Sequence, residues 1–236
     1  MKLSDIFAQL AYGELSQVSL VDEATGLISV AKYPALVSHV NLGLTALHTR
    51  FNLRQGTLSF KLRPTQVLYS LTSDEDLRVE GGEDFNDNLL KVEQVSTDAG
   101  FALGLNDSAD VYGCSTPSAA VLRVPLAVVT QGYDLPDALK TVNLQVVYRA
   151  NHGRIVVPLT GLVPAKVEVA LPSTHLEALL LYVASRVHNP VGMSNEFHAG
   201  NSYYAKYEAA CARLENEGME IDQGSQNTRA RRNGWV

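Results

Sequence analysis

Only two cysteines, Cys114 and Cys211, occur among the 236 residues of this chain, and they lie far apart. A disulfide framework needs more cysteines than this, and so does a zinc knuckle. We therefore expect both thiols to be reduced and half-buried, in a protein made in the cytosol.

Long apolar runs are missing as well. The longest one, residues 176–187, is interrupted by Glu177, Ser185 and Arg186, whereas a helix that crosses a bilayer needs roughly 20 apolar residues. The first ten residues contain neither the long apolar segment nor the small-residue cleavage site of a secretory signal. We therefore predict no membrane segment and no secretory leader.

A strong charge of either sign is absent too. The formal net charge is −6, from 19 basic and 25 acidic residues, which argues against broad attraction to nucleic-acid phosphates. Hydrophobic residues make up 46% of the chain and charged residues 19%. This composition predicts a globular protein that can bury a sizeable core.

The sequence lacks the common catalytic motifs. It has no HExxH and no GxSxG segment, so the zinc-peptidase and serine-hydrolase patterns are both missing. Gly81 and Gly82 precede acidic residues, which would repel a phosphate. The acidic clusters at residues 74–76 and 83–84 are typical of exposed loops, whereas paired catalytic carboxylates need burial.

The remaining chemistry-bearing residues favour structural roles. Cys211 falls on an apolar stripe, which predicts a core thiol rather than a nucleophile. The histidines show no metal-ligand spacing; they are His39, His48, His152, His175, His188 and His198. The residues therefore predict no enzyme, no metal and no cofactor.

Helical patterns occupy both ends of the chain. Over residues 1–51, Ser4 is a candidate N-cap and Pro34 begins a stronger helix with apolar residues every three or four positions. Residues 174–177 match a capping box that would begin a third helix. Another helix starts near residue 194 or 195; its apolar stripe consists of Tyr203, Tyr207, Cys211 and Leu214, and Gly218 is its C-cap.

The middle of the chain changes to a period of two, which is typical of strands. Alternation at residues 58–62 and 67–71, with a turn at 63–66, predicts a β-hairpin. Further strands are predicted at residues 89–95, 101–105, 120–129, 144–148 and 154–159, with 166–171 as one more candidate.

The order of these segments predicts an α+β fold. Helices from both ends of the chain pack together, and the β segment is inserted between them as an antiparallel β subdomain. The boundaries are 1–55 and 171–218 for the helical bundle, 56–170 for the β-rich subdomain and 219–236 for an extended C-terminal tail.

The tail combines charge with the single tryptophan of the chain. Arg229, Arg231, Arg232 and Trp235 fall within its last eight residues. Arginine and tryptophan are enriched at binding hot spots, and a disordered segment can become ordered on contact. These four residues are the candidate partner-binding residues. A solvated tail without a partner, or a few contacts to phosphates, is the alternative.

Parts of the sequence resemble a known family. The segments LEALLLYVASRVHNP (176–190) and YYAKYEAACARLE (203–215) are similar to the C-terminal helix pair of head-to-tail adaptor proteins of short-tailed phages, the tail tubular protein A group. The segments VNLGLTALH (40–48) and NTRARRNGWV (227–236) resemble adaptor-type proteins of large-genome podoviruses. The likeness is specific in the C-terminal third and weak across the β segment.

The resemblance implies a virion structural protein, located in the neck and tail of the particle and made in the host cytoplasm. Such adaptors, also called connectors, form a ring, usually of twelve copies, beneath the portal protein. The helical part docks to the portal, the C-terminal extension reaches onto it, and the β part faces the nozzle or tail tube. Double-stranded DNA passes through the channel without specific binding.

Two other functions remain open at this point. Some phage tail parts are cell-wall hydrolases, although the sequence offers no buried carboxylate pair for that reaction. A sheet-rich receptor-binding or carbohydrate-binding tail protein also fits the β segment in outline. Its aromatic residues are spread out, whereas sugar-binding platforms cluster them.

Overall fold

The computed structural model describes residues 1–22, 24–73, 77–79, 85–133, 135–159, 161–188 and 195–218. The structure is 38% helix and 22% strand, and its sheets are antiparallel. The predicted α+β class is therefore confirmed. The tail at 219–236 lies outside the described residues.

The described residues form five α-helices and eight strands. The helices are α1 (Leu3–Tyr12), α2 (Tyr33–Arg50), α3 (Leu126–Val129), α4 (Leu176–Val187) and α5 (Asn195–Asn216). The strands are β1 (Gln55–Lys61), β2 (Leu68–Ser70), β3 (Arg78–Val79), β4 (Leu89–Thr97), β5 (Ala102–Leu103), β6 (Ser115–Ser118), β7 (Val121–Arg123) and β8 (Asn143–Ala150).

Helices α1, α2, α4 and α5 bury their apolar side chains in one hydrophobic cluster. Helix α4 contacts the other three, and eight consecutive residues, 178–185, are buried along it. A helix that is apolar on every side must be enclosed by its neighbours. Helix α4 is therefore the centre of this cluster.

Ion pairs hold α5 against the other helices. The Arg50 guanidinium, at the end of α2, lies 2.6 Å from a carboxylate oxygen of Glu208 and 2.6 Å from one of Glu215. The hydrogen bond with Arg50 lowers the pKa of Glu215. Arg213 of α5 also pairs with Glu177 of α4. The polar side of α5 is thus fixed by charge, while its apolar stripe faces the core.

The strands form two sheets over a second hydrophobic cluster. The five-stranded sheet has the order β3-β1-β8-β4-β5, and the three-stranded sheet has the order β2-β7-β6. Strand β8 pairs along its length with both β1 and β4, which sets Leu58, Val146 and Val95 side by side. All three side chains are fully buried, so this row is the middle of the sheet core.

The predicted hairpin at residues 58–71 is wrong. Strand β1 pairs with β3 and β8, whereas β2 pairs with β7 in the other sheet. The turn signal at 63–66 is local, but the two segments find their partners far along the chain. The strand predicted at 120–129 is also split, because Pro125 ends β7 and precedes the short helix α3.

Two predicted caps differ from the structure. Ser4 lies inside α1, whose N-cap is Lys2, and the Asp5 carboxylate accepts a hydrogen bond from the Lys2 backbone N–H. The capping box at 174–177 does not form, because residues 173–175 make a 3₁₀ turn and α4 begins at Leu176. The Thr174 hydroxyl instead lies 3.0 Å from Nδ1 of His175.

Part of the stretch predicted as β-rich packs with the helices. Ile155, Leu162 and Val169 bury their side chains in the helical cluster. Residues 154–159 form no strand within the chain, and of residues 166–171 only Glu168 makes a single bridge, to Lys2. The chain therefore returns to the helices soon after β8 ends.

The close approach of α2 and α4 at Gly43 gives a stability prediction. A Cβ atom there would lie 2.7 Å from Cδ1 of Leu179 and 3.0 Å from Cδ1 of Tyr182. We expect Gly43→Ala to lower the free energy of unfolding by about 1–2 kcal/mol, and Gly43→Val to lower it further, because overpacking outweighs the better helix propensity. Urea unfolding measures the change.

The control for this prediction is Gly153→Ala, since no described residue places an atom within 4 Å of a Cβ at Gly153. That variant should change the free energy of unfolding by less than about 0.5 kcal/mol. A stable Gly43→Val protein would show that the two helices are not in the close contact described.

Candidate functional site

A groove of about 510 Å³ runs between one face of α2 and the segment that follows β8. Among the described residues, its lining contains no carboxylate, and Arg154 is the one charged residue in it. The lining residues are Pro34, Val37, Ser38, Asn41, Leu42, Thr45, Asn151, His152, Arg154, Ile155, Val156 and Val157. The groove is therefore a mixed apolar and polar surface with a basic side chain at its rim.

The side chain of Asn41 holds one wall of the groove in place. Its Nδ2 donates to the Ile155 carbonyl at 2.9 Å, and its Oδ1 accepts from the Ile155 backbone N–H at 3.0 Å. One amide side chain thus satisfies both backbone groups of Ile155, as a neighbouring strand would. Because the Ile155 side chain is buried in the helical cluster, the segment is fastened to α2 on two sides.

The imidazole of His152 makes a second link to α2. Its Nδ1 lies 2.9 Å from the Gly153 carbonyl oxygen, and its Nε2 lies 3.1 Å from the Asn41 carbonyl oxygen and 3.3 Å from the Thr45 hydroxyl. Carbonyl oxygens only accept hydrogen bonds. A neutral imidazole can therefore donate to one of the two carbonyls, whereas an imidazolium can donate to both.

His48 lies beneath the groove, with its ring centroid 5.8 Å from that of His152. Its Nδ1 is 3.2 Å from the Ala150 carbonyl, and its Nε2 has no hydrogen-bond partner in the part of the chain that is described. Burial lowers the pKa of His48 to about 4, although the hydrogen bond with the Ala150 carbonyl acts in the opposite direction. His48 is consequently neutral at physiological pH.

His175 is also buried, and it lies against Phe51 of the helical cluster. Its ring meets Phe51 edge-on at 4.8 Å, and burial lowers its pKa. Among the described residues, no group of three histidine, cysteine, aspartate or glutamate side chains is arranged to hold a metal ion. His48 and His152 bind backbone carbonyls, whereas His175 contacts the Thr174 hydroxyl.

Arg149 positions the groove relative to the sheet. Its Nη1 donates to the carbonyl oxygens of Thr49 at 2.7 Å and Arg50 at 3.2 Å, at the end of α2, and its Nη2 lies 2.9 Å from Oε1 of Glu93 in β4. A cation is favoured at a helix C-terminus, where carbonyl groups lack intrahelical partners. Residues 151–157, which line the groove after β8, begin two residues after Arg149. The contacts of Arg149 therefore determine where this wall of the groove starts.

Both cysteines are buried and unsuited to attack a substrate at neutral pH. Cys211 lies in the helical cluster, as its place on the apolar stripe predicts, and burial raises its pKa. Cys114 lies in the sheet cluster, where burial raises its pKa to about 12. A thiol acts as a nucleophile through its thiolate, and these environments disfavour that form.

The candidate binding residues of the tail, Arg229, Arg231, Arg232 and Trp235, lie outside the described residues, as do the acidic clusters at 74–76 and 83–84. The groove is not predicted by the sequence. Its one local signal is Asn41, a polar side chain next to the apolar positions of α2. The proximity of His48 and His152 has no such signal, because more than a hundred residues separate them.

Comparison of the chain with models of known protein families and with curated proteins finds no match. In the described part of the chain, no helix combines the length and apolarity that a membrane crossing requires. Function therefore has to follow from the surfaces and buried groups of this chain.

The neutral state of His48 predicts a loss of stability in mild acid. As the pH falls from about 6.5 toward 4, the unfolded chain binds a proton at this residue and the folded protein does not, so the free energy of unfolding decreases. We expect the loss between pH 7 and 5 to be about 2 kcal/mol smaller in His48→Gln than in the unchanged protein.

Urea unfolding at the two pH values measures this difference. The carboxylates are the same in both proteins, so their contribution cancels in the comparison. An equal loss of stability in the two proteins would contradict the buried, neutral state of His48.

Proposed function

We propose that this protein is a head-to-tail adaptor of a short-tailed bacteriophage, one subunit of a ring that joins the portal to the tail tube or nozzle and forms part of the DNA ejection channel. The proposal rests on the sequence resemblance described above and on one structural observation. It makes the protein a virion component in the neck of the particle, with no enzymatic reaction of its own.

The supporting observation is the division of one short chain into two hydrophobic clusters, one helical and one built on sheets. Each part carries large apolar side chains at the surface, among them Tyr12 and Tyr204 on the helices and Val111 and Tyr133 in the part that carries the sheets. A protein that joins two different partners needs two such surfaces on one chain, and the contacts of Arg149 connect the two parts here.

In the proposed arrangement, the helices from the two ends of the chain form the bundle that docks to the portal. The inserted β subdomain faces the tail tube or nozzle. The tail at 219–236 extends onto the portal, where Arg229, Arg231 and Arg232 pair with carboxylates and Trp235 fills a pocket.

The buried groups favour a role in packing. The histidine of α2 that lies under the groove is neutral and bound to backbone, and both thiols are held in their protonated form. General acid–base catalysis needs a group whose pKa is near the working pH and that reaches the substrate. These groups instead fasten one element of the fold to another.

The net charge suits a channel through which DNA slides. Twelve copies at −6 each would carry about −72 formal charges, and like charge on the wall disfavours adhesion of phosphates. The same repulsion acts between free subunits before they assemble. Binding to a portal ring would then supply the free energy that brings the copies together.

This repulsion predicts that the purified protein is a monomer that forms a ring only on a portal template. Multi-angle light scattering on the isolated protein should give a mass near 25.6 kDa. After addition of portal rings, a complex with several copies per portal should appear. Stable dodecamers of the free protein would contradict the role of the template.

The tail gives a second prediction. Removing residues 223–236 should weaken binding to portal rings at least tenfold, and the triple change of Arg229, Arg231 and Arg232 to alanine should account for much of that loss. The matched control changes Lys61, Lys91 and Lys140 to alanine, which removes the same charge from the β part. Undiminished portal binding after the truncation would refute docking of the tail.

A further inference from the structure

Polar contacts join the helices to the sheets where α2 meets β8. The buried apolar side chains fall into two clusters that share no residue, one on each side of this junction. Across it, the Arg149 guanidinium donates to the last carbonyls of α2, and the His48 ring lies 3.2 Å from the Ala150 carbonyl oxygen. Nδ2 of Asn151 lies 3.4 Å from the Thr45 hydroxyl. Separation at the junction therefore leaves both clusters assembled.

His48 is a buried titratable group at this junction, and it is only 1% exposed. Because a carbonyl oxygen only accepts hydrogen bonds, Nδ1 carries the proton that bonds Ala150, and Nε2 has a free lone pair. This Nε2 is buried and has no hydrogen-bond partner among the described residues. A second proton would therefore create a buried N–H group without an acceptor, which is strongly unfavourable.

The groups around this imidazole are positively charged or can become so. His152 follows β8, Arg54 precedes β1 and His175 precedes α4, and all three act on the imidazole. The sheet side contributes Arg149, whose guanidinium is paired with Glu93 of β4. A positive charge on the buried ring would therefore meet charges of the same sign.

The closed junction consequently keeps His48 neutral in mild acid. Burial lowers the pKa of His48 to about 4, the hydrogen bond with Ala150 opposes this shift, and the neighbouring positive charges support it. A histidine in water binds a proton near pH 6.5. As the pH falls from 7 to 5, a state in which His48 reaches water thus gains about twentyfold in population relative to the closed state.

We propose that the junction of α2 and β8 is an acid-sensitive hinge, which opens in mild acid and lets the helical and sheet parts separate while each keeps its own core. The segments that bend are residues 52–54 and 151–154, which belong to no helix or strand. Global unfolding gains the same proton but also exposes both apolar clusters, so it costs more free energy than opening of the hinge.

Thiol labelling of the full chain locates the opening. Cys114 and Cys211 are buried in the sheet and helical clusters, so each reports on one cluster. Ala150→Cys adds a thiol at the junction, where residue 150 is 1% exposed. Labelling by a pyridyl disulfide, which reacts in acid, is followed by mass spectrometry at pH 7 and pH 5. Each rate is divided by that of a short cysteine peptide under the same conditions.

The introduced thiol should label about twentyfold faster at pH 5 than at pH 7 after this correction. Cys114 and Cys211 should label roughly a hundredfold or more slowly than it at both pH values, because their clusters stay assembled. Asn52→Cys is a second reporter at the junction, since residue 52 is buried and its Oδ1 has no described partner to lose. It should show the same increase.

Two histidine variants test the cause of the opening in the Ala150→Cys protein. His48→Gln removes the titrating group and keeps a donor for the carbonyl of residue 150, so the increase in acid should disappear. The matched control is His39→Gln, about 14 Å nearer the start of α2 and beside Arg186 of α4. With this control the increase should remain.

Three results would overturn the proposal. They are an unchanged labelling rate of the introduced thiol in acid, an increase that persists with His48→Gln, and labelling of Cys114 and Cys211 at the same rate as the introduced thiol. Portal is absent from this experiment, so its result is separate from the test of the adaptor function.

Discussion

The attachment of β8 to the end of α2 is the constraint on which the rest of this fold depends. Arg149 donates to the last carbonyls of α2 and pairs with Glu93 of the neighbouring strand, and the Ala150 backbone N–H donates to the Arg54 carbonyl at 2.8 Å. Only 15% of the Arg149 side chain is exposed; its Nη1 and Nη2 have these partners, whereas its Nε has none among the described residues. The helical and sheet clusters are therefore fixed relative to each other by specific polar contacts.

The local parts of the fold could be predicted from sequence and the non-local parts could not. Helices α2 and α5, and strands β4 and β8, begin within two residues of the predicted positions, because periodicity and a proline or glycine at an end are local signals. The pairing of β1 with β8 joins segments more than eighty residues apart. The hairpin signal at 63–66 competes with that pairing and loses, since β8 offers seven registered partners.

The site was less predictable than the fold for the same reason. Nothing near His152 in the sequence indicates that its Nε2 lies beside the Asn41 carbonyl and the Thr45 hydroxyl. Nor does it indicate that the His48 ring lies beside that of His152. A buried histidine in an apolar helix has no local cause. It follows from the Ala150 carbonyl at the end of β8, which needs a donor once it is removed from water. The polar side chain of His48 under the groove thus provides a partner for a backbone carbonyl where β8 meets α2.

The strand predicted at 154–159 does not form, but the structure shows why exposed and buried side chains alternate at residues 154–156. The Ile155 side chain is buried, whereas those of Arg154 and Val156 are exposed. Asn41 accepts from the Ile155 backbone N–H and donates to its carbonyl, so one side-chain amide takes the place of a neighbouring strand. The alternation therefore records which side chain is buried, and the missing strand is explained because its partner is a single side chain of α2.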